Sequence, residues 1–143
     1  MKRCAFVLPL LFCGTLGFSQ EWISDLSMAL RQASAQNKEV LLYFSVPDAC
    51  TACEKLEEKV FSSPTWLSFA KENFVLAKPS FEASASFESK AENLLIVEKY
   101  NKDGFFPFVV ILDKNGKIVG KTGNYNDEHP DAYIAMLESI SRN

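Results

Sequence analysis

Apolar positions along this chain alternate between short continuous runs and repeats near 3.6 residues. The run Val40-Leu41-Leu42-Tyr43-Phe44 leaves no polar position for a solvent face, so residues 39–45 read as a strand buried on both sides and central to a sheet. Ahead of it, Trp22, Leu26, Ala29, Leu30 and Ala33 recur at helical spacing and predict an amphipathic helix over 21–38. Behind it, the good helix formers from Glu54 to Val60 predict a helix reaching Phe61. Ser62 or Ser63 caps a third helix, with Pro64 in its first turn and Trp66, Leu67 and Phe69 along it. Residues 74–78 read as a second strand, and 90–100 as a helix turning Leu94, Leu95, Ile96 and Val97 toward the core. Between them, 79–92 is polar and rich in Ser, Ala and Glu; it reads as a solvated connection with Phe81 and Phe87 tucked against the domain. After Gly104, residues 106–112 form a strand with Pro107 near its start. Asp113-Lys114-Asn115-Gly116 is a hairpin turn, 118–123 the return strand, and 127–142 a closing helix carrying Tyr133, Ile134, Met136, Leu137 and Ile140. The order α-β-α-α-β-α-β-β-α is an α/β arrangement: a mixed central sheet flanked by helices on both faces.

The first nineteen residues follow another logic. Lys2 and Arg3 precede an apolar stretch from Cys4 to Phe18, and Gly17 and Ser19 supply the small residues of a cleavage site. This is the pattern of a secretory signal peptide cleaved near Ser19, which leaves 20–143 as one domain exported to the periplasm. The apolar run is short for a membrane span. An uncleaved anchor and a lipid-bearing Cys13 are the alternatives, and bulky Phe12 stands against the second. Four cysteines are present in 143 residues. Cys4 and Cys13 leave with the signal, and only Cys50 and Cys53 remain. One pair is too few for a disulfide scaffold, and the chain is long enough to fold on a hydrophobic core. Net charge is −3 overall and falls to about −5 without Lys2 and Arg3. No basic cluster points to nucleic acid, and a monomer is expected.

The candidate chemistry lies in Cys50-Thr51-Ala52-Cys53, where strand gives way to helix. Two cysteines at this spacing in a helix's first turn can close a small disulfide ring. The first then sits where free N–H groups and the positive helix end favour a thiolate. Thiol–disulfide exchange needs an attacking thiolate and a second thiol to resolve the mixed disulfide. Cys50 is the expected nucleophile and Cys53, one turn further in, the resolving thiol. Thr51 and Ala52 contribute no positive group to stabilise the thiolate strongly. The expected potential is therefore nearer thioredoxin's roughly −270 mV than the roughly −120 mV of a strong oxidant. A static disulfide and half a metal site are the competing readings. Tetrahedral zinc wants about four ligands, and the remaining chain offers Cys50, Cys53 and His129. Covalent haem wants histidine after the second cysteine, where Glu54 stands. No cofactor is expected beyond the redox disulfide itself.

With Pro107 opening the third strand, this layout resembles the thioredoxin fold over roughly Trp22 to Ile140. More narrowly, three segments resemble the C-terminal periplasmic domain of the membrane reductase DsbD and the small exported DsbH-type reductases. They are Val40-Leu41-Leu42-Tyr43-Phe44, Cys50-Thr51-Ala52-Cys53-Glu54-Lys55-Leu56-Glu57 and Val60-Phe61-Ser62-Ser63-Pro64. Phe105-Phe106-Pro107-Phe108 and the strand to Gly116 match that family's cis-proline strand and hairpin. The resemblance implies a disulfide reductase acting on exported disulfide-containing proteins, re-reduced by a DsbD-type membrane electron donor. It also implies a cis Pro107 and a substrate groove formed by Thr51, Ala52, Phe106 and Pro107. The chain departs from the family at Ala49, where an aromatic residue is usual, and in a link to Cys50 one residue longer, containing Pro47. Tyr43 or Phe44 stands where the family often buries an acid. Phe106 is bulkier than the usual residue, which makes the groove narrower or more apolar. An oxidase or isomerase, and a redox-inactive binding module using the Pro107 groove and the 81–87 segment, are the alternative functions.

Overall fold

A computed structural model describes residues 20–46 and 48–141. The proposed signal peptide, Pro47 and Arg142 lie outside the described residues. Helix α1 (Leu26–Gln36) precedes β1 (Glu39–Phe44); α2 (Thr51–Leu56) continues into a π-helical turn, Glu57–Phe61. Then come α3 (Pro64–Asn73), β2 (Phe74–Ala77), α4 (Phe87–Tyr100), β3 (Phe108–Leu112), β4 (Ile118–Lys121) and α5 (Pro130–Ser141). The strands lie in the order β2-β1-β3-β4. β1 runs parallel to β2 and antiparallel to β3, and β4 returns antiparallel along β3.

The period of two along β1 divides the core into two layers. Val40, Leu42 and Phe44 face α1 and α4, whereas Leu41 and Tyr43 face α2, α3 and α5. All five are 0% exposed, which accounts for the unbroken apolar run in the sequence. Trp66 is also fully buried, in the second layer. Full burial of a large apolar side chain contributes about 1.5–3 kcal/mol.

Helix α1 begins later than its periodicity suggests. Asp25 caps it, accepting the Met28 N–H at 3.0 Å, and the residues before the cap are not helical. Ile23 pairs in parallel with Ala77. Its N–H donates to the Leu76 carbonyl at 2.9 Å, and its carbonyl accepts the Lys78 N–H at 2.9 Å. A cap-forming Asp and an otherwise unpaired sheet edge together outweigh the helical spacing of Trp22. Trp22 consequently joins the α2 layer, where its ring meets Tyr43 and Phe61.

Helix α4 starts at Phe87, with Ser86 as its cap, and is rotated relative to the sequence expectation. Its buried side is Asn93, Ile96 and Tyr100, while Leu94 and Leu95 point outward, each 66% exposed. Asn93 fixes that rotation by donating to the Ser80 carbonyl at 2.5 Å. Of the two loop aromatics, Phe81 packs inward and Phe87 is exposed.

The β3–β4 turn is held by Asp113, whose carboxylate accepts the N–H groups of Asn115 (2.8 Å) and Lys117 (2.9 Å). The Lys117 N–H, more than that of Asn115, holds the carboxyl below its usual range. A depressed folded pKa gives stability that is complete above the unfolded value, about 3.9, and lost as pH falls through the folded one. Asp113→Ala should therefore lower the thermal midpoint at neutral pH, and melts at decreasing pH should show the gap to wild type closing below the carboxylate range.

Gly120 on β4 lies against α5. A Cβ there would stand 1.9 Å from Ile140 Cγ2, too close for a β-branched side chain to evade. Gly120→Ala should cost about 1–3 kcal/mol in urea unfolding. Adding Ile140→Ala should recover part of that loss, so the double variant should lose less than the sum of the singles.

Candidate active site

The antiparallel register sets Phe44 at the end of β1 opposite Phe108 at the start of β3. The segment leading to Cys50 and the segment containing Pro107 therefore leave the same end of the sheet. After Phe44 the chain passes Asp48, which takes a left-handed φ of 61°, and enters α2 with Cys50 as its N-cap. A helix start leaves N–H groups without intrahelical partners. Here a sulfur takes the place of the usual capping oxygen: Cys50 Sγ accepts the Cys53 N–H at 3.1 Å. The Cys50 carbonyl accepts the Glu54 N–H at 3.1 Å and so begins the helix.

Cys50 and Cys53 are joined in a disulfide, with Cα atoms 5.2 Å apart. Cys50 is half-buried and Cys53 only 3% exposed. Thr51 is exposed and Ala52 half-buried. The Phe106–Pro107 peptide bond is cis, Pro107 is buried, and Phe106 is half-buried with its ring edge-on to Phe81. The fold thus brings Pro107 and the cysteine pair to one end of the sheet.

Tyr43, rather than Phe44, faces the cysteine-bearing helix. Its hydroxyl is buried and makes no well-formed hydrogen bond, although the Glu57 and Ser45 side chains approach it. Burial first, and then the negative charge of Glu57, push that hydroxyl far above the ordinary phenol range. Glu57 follows Cys53 by one helical turn, its N–H bonded to the Cys53 carbonyl, so the two side chains share a helix face. The Glu57 carboxylate pairs with Lys78 Nζ at 2.7 Å, and that ammonium lies 5.2 Å from the centre of the Tyr43 ring. The sequence reading missed this Glu57–Lys78 pair. The spacing of Glu57 from Cys53 was its one local signal, and Lys78 lies on a different element.

A second missed feature is Asn101, at the end of α4. Its amide donates to the Phe105 carbonyl (2.8 Å) and accepts the Phe105 N–H (3.0 Å), which fixes the backbone just before Phe106. Among the described residues, no three of His, Cys, Asp and Glu are grouped as a metal ion would require. No helix among them is long and apolar enough to cross a membrane. A cleft of about 530 Å³ lies at the opposite end of the sheet between Lys38, Phe74 and Asp113, away from the disulfide.

A family model described as thioredoxin-like matches residues 21–114. The chain belongs to the thioredoxin-like family. This thioredoxin-like chain is 24% identical over 113 residues to the disulfide bond reductase DsbH of Chlamydia pneumoniae, covering 78% of the chain and 67% of that relative. Among solved structures, a DsbH oxidoreductase superposes with a TM-score of 0.75 at 23% identity, covering 85% of this chain and 84% of that one. The oxidised C-terminal domain of DsbD from Neisseria meningitidis superposes with a TM-score of 0.60 at 19% identity, covering 84% and 99% of the two chains. These structures share the fold. Within it, Cys50 and Cys53 form the disulfide of a Cys-x-x-Cys motif at the start of α2.

The buried Tyr43 hydroxyl yields a stability test. Tyr43→Phe removes a buried polar group that makes no well-formed hydrogen bond, so unfolding free energy should stay within about 1 kcal/mol of wild type or rise. A larger loss in denaturant melts would show that the hydroxyl is held by a partner.

Proposed function

We propose that this chain is an exported disulfide reductase, working in the periplasm on disulfide-containing proteins. The observation that carries the reading is the Cys50–Cys53 disulfide at the start of α2, its more accessible sulfur accepting a backbone N–H. The N–H that meets Cys50 Sγ in the disulfide would stabilise a thiolate at the same atom, as would the helix dipole.

In the reduced protein the Cys50 thiolate attacks one sulfur of a substrate disulfide. A mixed disulfide forms and the first substrate thiolate leaves. Cys53, deprotonated, attacks Cys50 Sγ and expels the second substrate thiolate. The balance is two electrons from the protein to the substrate: two substrate sulfurs end as thiols and the protein ends as the Cys50–Cys53 disulfide. Burial of Cys53 suits it to an intramolecular attack rather than to encounter with free substrates. Thr51 and Ala52 border the cysteines, with Phe106 and Pro107 forming the other wall of the groove.

The reductive direction rests on the uncharged Thr51-Ala52 pair and on the likeness to a relative named as a disulfide bond reductase. Such a reductase must be reloaded with electrons in an oxidising compartment. A DsbD-type membrane donor is the proposed source, and the protein is proposed to work as a monomer. Cleavage near Ser19 would release it, and N-terminal sequencing of the exported protein should find Gln20 first.

The deciding measurement is the equilibrium potential of Cys50–Cys53 in glutathione or dithiothreitol buffers, using protein that begins at Gln20. A value near roughly −270 mV is expected, and one near roughly −120 mV would turn the assignment to an oxidase. Cys53→Ala should accumulate a mixed disulfide through Cys50, visible by mass spectrometry, whereas Cys50→Ala should accumulate none through Cys53. Failure of the wild type to cycle its disulfide would leave a binding module.

A further inference from the structure

Phe105 stands apart from the other aromatic residues flanking Pro107. It is 49% exposed, while neighbouring Phe106 is half-buried and Phe108 is buried. It also lies on a loop whose backbone is hydrogen-bonded to the end of α4. Asn101, only 2% exposed, directs both ends of its amide to the backbone of Phe105, at 2.8 and 3.0 Å. The Asn101 N–H donates to the Val97 carbonyl at 2.7 Å, and its carbonyl accepts the Gly104 N–H at 2.9 Å. Gly104 takes a φ of 69°, which closes the turn. The end of α4 thus clasps the loop and holds an apolar ring toward solvent. A mobile loop would have to lose conformational freedom each time it bound something, and this loop is already ordered.

Phe105 lies two residues before Pro107, on the segment that leaves the same end of the sheet as the one leading to Cys50. Phe105 contacts Phe108 at 6.1 Å between centroids, and Phe108 contacts Phe44 at 6.4 Å. Phe44 and Phe108 mark the end of the sheet from which the Cys50 segment departs. Phe81 packs edge-on against Phe106, with ring centroids 6.4 Å apart.

We propose that Phe105 is a specificity-determining residue, selecting disulfides in which an aromatic or large aliphatic side chain flanks the attacked cysteine, and that Asn101 is its positioning residue. This rests on the thiol–disulfide exchange reading above and names the substrate class for that site. Covering the exposed half of the ring with an apolar side chain removes apolar surface of both partners from water, enough for about a tenfold preference.

The test compares two synthetic disulfide peptides of equal charge, one with Phe and Leu beside the cysteine and one with Ser and Asn. The fully reduced protein is assayed with each, and 2-hydroxyethyl disulfide, which carries no side chain, serves as a third substrate. Wild type should favour the apolar peptide about tenfold in kcat/KM, with the difference in KM. Phe105→Ser should bring the ratio close to one, and Phe105→Leu should keep most of it. Asn101→Ala should reduce the ratio with Phe105 still present; if that variant does not fold, Phe105→Ser decides alone, since its ring already faces solvent. Equal rates on both peptides in wild type, or an undiminished ratio in Phe105→Ser, would overturn the proposal. If wild type reduces neither peptide nor 2-hydroxyethyl disulfide, the exchange reading itself falls and takes the proposal with it. Activity on 2-hydroxyethyl disulfide without discrimination between peptides overturns the proposal alone.

Discussion

The antiparallel pairing of β1 with β3, Phe44 opposite Phe108, is the contact on which the candidate site depends. The chain beyond β1 carries the cysteines, and the chain before β3 carries Phe105, Phe106 and Pro107. Neither segment has regular pairing of its own, so their common location is inherited from this register. A slip of one residue would exchange the two faces of β1, sending Leu41 and Tyr43 into the layer of α1 and α4. The two layers are filled by different side chains, so burial itself enforces the register that brings the two segments together.

The layer behind α2 is dominated by rings. Phe61 touches Trp22, Tyr43, Trp66 and Tyr133, with centroids 5.4, 5.1, 4.6 and 6.2 Å away. Val60 and Phe61, at the end of the π-helical turn Glu57–Phe61, are both buried there. The helix bearing the cysteines is thus fixed at its far end by aromatic packing, while its first turn remains at the surface. The rigidity of the helix and the accessibility of Cys50 come from opposite ends of one element.

Most of this was legible in the sequence for local reasons. The unbroken apolar run of β1 announces a central strand, Ser63 and Pro64 announce the start of α3, and Asn115-Gly116 announces the hairpin. The cysteine pair was legible because its spacing and its place before a helix-forming stretch carry meaning together. What escaped the reading depends on partners distant in sequence. Ile23 joins β2 through backbone bonds that no periodicity records. In α4 both faces hold apolar residues, and the rotation is decided by Asn93 reaching Ser80. The Asn101 clasp and the Glu57–Lys78 pair likewise exist only once the tertiary structure has formed.

The attachment of Ile23 to β2 also limits the reach of whatever precedes it. Only Gln20, Glu21 and Trp22 separate Ser19 from that attachment. Fully extended, three residues span about 10 Å. A chain cut near Ser19 would therefore carry almost no free leader. A chain left uncut and held in a bilayer would keep its domain pressed close to the lipid surface, with little freedom to reorient. For such a molecule, the fate of one peptide bond would separate a freely diffusing domain from one confined to a thin shell above the membrane.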